Sequence, residues 1–319
     1  MARTIVALCM LVMVAIAAGA TGTVEESAER APRAPGSGEA SRPLTILYPQ
    51  AIASVPVLEL LARYPDEYRG ESFNDHAQAL ARLINGEADL LFTGFTLGYT
   101  RYASAGDLVH VMTPVWGASA LMTARQTDDL SSLAGGTIYA PFEGSPIDVY
   151  LRALLDARGL SGSIRIAYAP FPQAAALVAE GRADAAVLVE PIASRLEIAG
   201  QAFRYHNIQD GWAEVSGGEP RSPQVSFFAR RRDAAAREIE WTLLVRRVAA
   251  LVEELTADPA RFAADHAEAL GFPAPVVERA LQNALFDAPD AGETVRIIAE
   301  YNRVMGLASP SPEFYASVE

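Results

Sequence analysis

Lysine is absent: every one of the 26 basic residues is arginine. Schiff-base catalysis and a phosphate-binding P-loop, both of which need a lysine amine, are therefore excluded. Cysteine is nearly absent too, with Cys9 alone, so no intrachain disulfide can form and the body of the chain has no cysteine nucleophile. The four histidines, His76, His110, His206 and His266, lack metal-ligand spacing. Neither a Gly-x-Ser-x-Gly elbow nor a His-Glu-x-x-His pair occurs. An excess of positive charge is also missing. Against 26 basic residues stand 39 acidic ones, a formal charge of −13 that disfavours a nucleic-acid or anionic-membrane surface.

A long hydrophobic run is lacking as well. The apolar stretch over residues 4–18 follows a single charge, Arg3, and ends in Ala18-Gly19-Ala20. It reads as an export signal, residues 1–20, cleaved after Ala20. It is too short and too rich in small residues for a membrane span, although an uncleaved anchor helix is the alternative. Cys9 lies inside this stretch, and Leu8 directly before it argues against lipid modification. Residues 21–42 are rich in Ala, Gly, Pro, Ser and charge, with almost no bulky apolar side chain, and read as a disordered spacer. The whole chain, 319 residues at 50% hydrophobic composition, suffices for one large core or two domain-sized ones. An exported chain without disulfides depends on that core.

What the chain does have is a segment that occurs twice. Gln78-Ala79, Leu83, Gly86, Ala88 and Asp89 recur 95 residues later as Gln173-Ala174, Val178, Gly181, Ala183 and Asp184. In both copies an amphipathic run, 76–85 or 173–180, ends at a glycine suited to a helix C-cap. An Ala-Asp pair then leads into an apolar strand, 90–92 or 185–189. Upstream of each copy a short strand, 45–49 or 137–141, meets a Ser-Pro helix start at Ser54-Pro56 or Ser145-Pro146. There the hydroxyl can accept an orphan amide. The pattern predicts two similar α/β lobes, each with helix N-termini at the carboxyl end of its strands, where ligands bind in open α/β sheets. The recurring Asp89 and Asp184 read as structural, each holding the turn after its glycine.

The first lobe is expected over 43–116 and the second over 117–232, which includes a strand at 224–229. Residues 113–117 mark the first crossing. From 233 the chain reads as helical, over 237–255, 259–270, 274–285 and 292–305, packing back on the first lobe.

Two runs carry a resemblance to a known family. Residues 130–160, LSSLAGGTIYAPFEGSPIDVYLRALLDARGL, place a Gly-bearing turn, a strand, a Gly-Ser-Pro helix start and an amphipathic helix in order. Residues 174–194, AAALVAEGRADAAVLVEPIAS, add a helix, a Gly-x-x-Asp turn, a strand and a Glu-Pro pair. From Pro43 to the C-terminus the chain resembles the periplasmic solute-binding proteins that serve uptake of nitrate, sulfonates, taurine and thiamine-pyrimidine precursors. The resemblance implies an α/β, two-lobed type II periplasmic-binding-protein architecture with two interlobe crossings and a helical C-terminal segment. It implies an extracytoplasmic monomer that captures a small solute and delivers it to an ABC transporter permease with its ATPase. No metal, cofactor, catalytic residue or nucleic acid is implied. Hinges are placed near Pro114 and Ser222.

Carried over position by position, the resemblance makes Gln50, Ser54, Thr96, Trp116, Ser145, Asp148 and Glu190 the ligand-binding residues. Two roles are open to Trp116: stacking on a ligand, or a wedge packed between lobes. Two are open to Glu190, binding a cationic or amide group or serving the helix after Pro191. Ser54 and Ser145 are open to helix capping alone. Trp116, Phe95 and Phe142 favour a planar organic ligand, whereas a site of hydroxyls and helix dipoles suits a sulfonate or nitrate. A ligand-sensing module for a membrane receptor, or an enzyme on the same fold, remains the competing class.

Overall fold

The computed structural model of the chain describes residues 42–317. The expected signal segment, 1–20, and residues 21–41 of the expected spacer lie outside them. No helix among the described residues is long and apolar enough to cross a membrane.

The chain first lays down β1 (Leu44–Pro49), α1 (Val55–Arg63), β2 (Tyr68–Phe73), α2 (His76–Asn85), β3 (Leu90–Gly94), α3 (Phe95–Ala105) and β4 (Leu108–Gly117). It then forms β5 (Ser119–Thr123), β6 (Thr137–Ala140), α4 (Pro146–Ala157), β7 (Arg165–Tyr168), α5 (Phe171–Ala179), β8 (Ala185–Val189), α6 (Ile192–Ile198), β9 (Phe203–Asn207) and α7 (Ile208–Ser216). It finishes with β10 (Val225–Arg230), α8 (Glu238–Ala257), α9 (Pro259–Leu270), α10 (Ala274–Asn283), β11 (Leu285–Phe286) and α11 (Ala291–Val304).

These strands make two sheets, ordered β11-β4-β10-β3-β1-β2 and β7-β6-β8-β5-β9. Leaving aside the two-residue β11, the two orders are the same. A central strand pairs in parallel with neighbours on both sides, β1 with β2 and β3, β6 with β7 and β8. Next comes one antiparallel strand, β10 or β5, and then the strand beyond it. The duplicated sequence segment is thus one copy of α2-β3 and one of α5-β8 in matching places.

Strand β10 corrects the expected lobe boundary. The stretch at 224–229, assigned from sequence to the second lobe, pairs instead between β3 and β4 of the six-stranded sheet. Each antiparallel strand is therefore the piece of chain that has just crossed from the other sheet, which local sequence does not reveal. Nor does Pro114 interrupt the chain at the crossing: β4 continues through it to Gly117 with a register shift in its pairing to β10. The expected helix 274–285 stops at Asn283, and Leu285–Phe286 adds a short edge strand beside β4.

Both sheets are covered on both faces, which is why inner strands such as β3, β5 and β8 are nearly continuous apolar runs, whereas the edge strands β2, β7 and β9 are more polar. Successive residues point to opposite sides. Ile46, Phe92 and Phe227 pack toward α1, α8 and α9 with Trp241, Leu244 and Phe262, while Leu47, Leu91 and Phe228 pack toward α2 and α3 with Phe314. In the second sheet Leu121, Ile138 and Val187 join the side of α4 and α7, and Ala120, Met122 and Leu188 join the side of α5 and α6. The C-terminal helices contact more than the first sheet: α10 also packs on α6, and α11 on α7.

The duplicated motif forms for local reasons. Asp75 caps α2 by accepting from Ala77 and Gln78 at 2.9 and 3.0 Å. Gly86 ends the helix at φ 87°, a left-handed conformation that a side chain would strain. Asp89 then reaches beyond its own turn: its Oδ2 accepts from the Thr45 amide at 2.9 Å, and Asp184 Oδ2 accepts from the Thr137 amide at 2.8 Å. Each repeated aspartate ties the start of β1 or β6 to the strand beside it.

Candidate functional site

The geometry of the site follows from strand direction. β1, β2, β3 and β4 all run the same way, so Pro49, Phe73, Gly94 and Trp116 share one edge of the first sheet. In the second sheet β6, β7 and β8 end at Ala140, Tyr168 and Val189, and the antiparallel β5 begins beside Val189 at Ser119. Between Gly117, the last residue of β4, and Ser119, the first of β5, stands Ala118 alone. A one-residue link forces the two carboxyl edges to meet. Chain crossings back at residues 217–224 close the same side: Ser222 N donates to Trp116 O at 3.1 Å, and Gln224 N to Val115 O at 2.9 Å.

On the first edge Gln50 is exposed, and its Nε2 donates to the Ala269 carbonyl at 3.0 Å. Ser54 is fully buried and does not cap α1; its hydroxyl donates back to the Pro49 carbonyl at 2.6 Å, because a 3-10 turn over Ile52–Ser54 leads into the helix. Thr96 is half-buried in the first turn of α3, with Tyr301 Oη at 3.4 Å. On the second edge Ser145 caps α4 as expected, accepting from the Asp148 amide at 3.1 Å. Asp148 is buried and accepts from the Gly144 amide at 2.9 Å, from Arg152 Nε and from Tyr168 Oη, both at 3.1 Å.

Glu190 is also buried and serves α6, accepting from the Ser194 amide at 3.1 Å. Its Oε1 lies 2.8 Å from Arg204 Nη2, off the direction of a well-formed hydrogen bond, so this contact is an ion pair. Burial pushes the Glu190 carboxyl above the usual range, although Arg204 and Ser194 pull the other way. Trp116 has no exposed surface, and its Nε1 donates to the Asp287 carbonyl at 3.0 Å. Phe95 is equally buried, leaving Phe142, 61% exposed, as the one of the three named aromatics that meets solvent. The structure thus gathers Gln50, Ser54 and Thr96 on one edge and Ser145, Asp148 and Glu190 on the other. Cavities lie elsewhere among the described residues: one of 780 Å³ beside Gly217 and Arg296, one of 480 Å³ beside Arg152 and Ile164, and one of 340 Å³ between β4 and α8. None of the three is lined by any of the seven.

Sequence reasoning passed over two groups at these edges. His76, at the first turn of α2, is exposed as a residue but shares a 2.7 Å hydrogen bond between Nδ1 and Thr93 Oγ1, and desolvation of its ring lowers its pKa. The signal was Asp75, whose capping places the next residue at the sheet edge. Arg204 joins Glu190, Glu197, Ser194 and Asn207. Nothing local to β9 announces that role.

No family model matches the sequence, and no curated protein does either. Solved structures do. The periplasmic aliphatic sulphonate binding protein SsuA from Escherichia coli aligns with a TM-score of 0.66 at 21% identity, over 84% of this chain and 86% of that one. The alkanesulfonate-binding protein SsuA from Xanthomonas axonopodis pv. citri, bound to MOPS, aligns with a TM-score of 0.61 at 24% identity, over 85% and 96%. The ligand-binding component of an ABC-type import system from Staphylococcus aureus gives 0.67 at 13% identity, over 87% and 97%. With two sheets of the same strand order meeting edge to edge, the chain has the two-lobed, type II form of the periplasmic-binding-protein fold.

Proposed function

We propose that the chain is the extracytoplasmic solute-binding component of an ABC-type uptake system, holding a small solute between the two carboxyl edges for delivery to a membrane permease. The observation that carries this reading is the one-residue crossing at Ala118, which sets helix starts of both sheets against each other. Such an arrangement directs backbone amides and positive dipole ends toward one space, and a lobed protein closes around what binds there. A sulfonate or another small anion suits amide and hydroxyl donors, and two of the similar structures bind sulfonates by name. In this reading Gln50 and Thr96 contact the solute from the first lobe and the 142–145 loop from the second. Ser54, Ser145, Asp148 and Glu190 hold the backbone that shapes the site, and Trp116 supports its floor.

The test is a thermal-shift screen against methanesulfonate, MOPS, nitrate, pyrimidines and amino acids. A solute present at a hundred times its Kd adds about 2.7 kcal/mol of stability, which a melting curve resolves. The expected result is stabilisation by one class without consumption of the solute, weakened in Gln50→Ala and Thr96→Val. Consumption of the solute would move the protein to the enzyme class, and a shift untouched by both substitutions would put the site elsewhere.

A further inference from the structure

We infer that Gln209 and Asn283 form an interlobe brace that holds the lobes together before solute arrives and positions the Glu190 end of the site. Its purpose rests on the solute-binding reading; its test does not. Gln209 lies in the first turn of α7, in the second lobe, and Asn283 is the last residue of α10, which packs on the first sheet. Gln209 Nε2 donates to the Asn283 carbonyl at 2.9 Å, satisfying an acceptor that a helix C-terminus leaves without an intrahelical partner. Asn283 Nδ2 reaches back across the lobes to Ser194 Oγ at 3.3 Å. Ser194 is fully buried and gives its amide to Glu190 Oε2. One continuous set of contacts therefore runs from α7 through α10 to the carboxylate beside the proposed site.

Gly117 makes the brace possible. A Cβ at this position would stand 2.5 Å from Gln209 Oε1 and 3.1 Å from its Cδ, so the amide occupies the notch left by the missing side chain. That notch is at the end of β4, beside the Ala118 crossing about which the lobes would turn. Gln209 Oε1 is buried without a hydrogen-bond partner among the described residues. Opening would hydrate it, so the brace is releasable rather than a permanent clamp.

A single net hydrogen bond shifts a two-state equilibrium about fivefold. If solute binds the closed form, loss of the brace weakens apparent affinity by the loss in closed population. The experiment measures lobe separation without any solute. Cys9 is replaced by serine in the full chain, and Gln78→Cys and Gln173→Cys, both exposed in the first turns of α2 and α5, carry a fluorescent donor and acceptor. Gln209→Ala, Gln209→Glu, which keeps the length but loses the donor, and Gly117→Ala are each expected to raise the open-to-closed ratio about fivefold. The pair Gly117→Ala with Gln209→Ala should be no more open than Gln209→Ala alone, since both act on one contact. An unchanged distance distribution in both Gln209 variants overturns the inference, as does full additivity of the pair. A screen with no stabilising solute would count against the solute-binding reading while leaving this result intact.

Discussion

Replacing each repeated aspartate by alanine should show that equal sequence motifs carry unequal energies. Asp89 is buried, accepts the Thr45 amide at 2.9 Å and two hydrogen bonds from Arg42 at 2.7 Å, and has Arg237 at 3.4 Å. Arg42 is 60% exposed, so that pair contributes at most about 1 kcal/mol. The Thr45 amide, left without its partner, costs about 1–3 kcal/mol, and the total for Asp89→Ala is about 1–4 kcal/mol. Asp184 is exposed and its carboxylate accepts from the Thr137 amide, so Asp184→Ala costs about 1 kcal/mol. Burial alone would raise the Asp89 pKa, but the hydrogen bonds of Arg42 and Thr45 overcome it and hold the value below 3.8. Its stabilisation is therefore complete above the unfolded pKa and is lost as pH falls through the lower folded value. Urea midpoints at pH 7 and at pH 3 measure both effects. An Asp184→Ala cost equal to or above that of Asp89→Ala, or unaltered acid sensitivity in Asp89→Ala, would refute the reasoning.

Trp116→Phe removes the hydrogen bond to Asp287 and should cost about 1 kcal/mol, whereas Trp116→Ala should cost about 3–5 kcal/mol by opening a cavity; calorimetric melts separate these, and an unchanged melt for Trp116→Ala would deny its buried role. Complete burial pushes His110 down to about 3, beside a chain of hydroxyls in which its Nε2 meets Thr113 Oγ1 at 2.8 Å and Thr113 meets Ser226 Oγ at 2.6 Å. Because the unfolded state takes up that proton first, stability should fall by about 1.4 kcal/mol per pH unit between about pH 6 and pH 4. His206, held near 4 chiefly by burial, adds to the slope in the same direction. His110→Gln should reduce the slope by about one proton, and an identical slope in the variant would place His110 outside the acid response.

Within the described residues, what the sequence determined by itself was local and periodic. Helix α2 was legible over 76–85 and α9 over 259–270, because caps, apolar spacing and terminal glycines act over a few residues. The duplication was legible because two copies of one supersecondary unit leave the same residues at one offset. Strand partners were not legible. β10 has the same apolar character whichever sheet it enters, and only the crossing chain brings it between β3 and β4. Side-chain roles at the edges were undecided for the same reason. Ser145 caps and Ser54 does not, although both precede a proline, since a turn of 3-10 helix aims the second hydroxyl at Pro49. The brace of Gln209 and Asn283 joins residues 74 positions apart through a space that exists because Gly117 has no side chain. Propensity, capping and hydrophobic period depend on near neighbours along the chain and can be read from it. Register, lobe membership and the partner of each polar group depend on residues brought close only by folding.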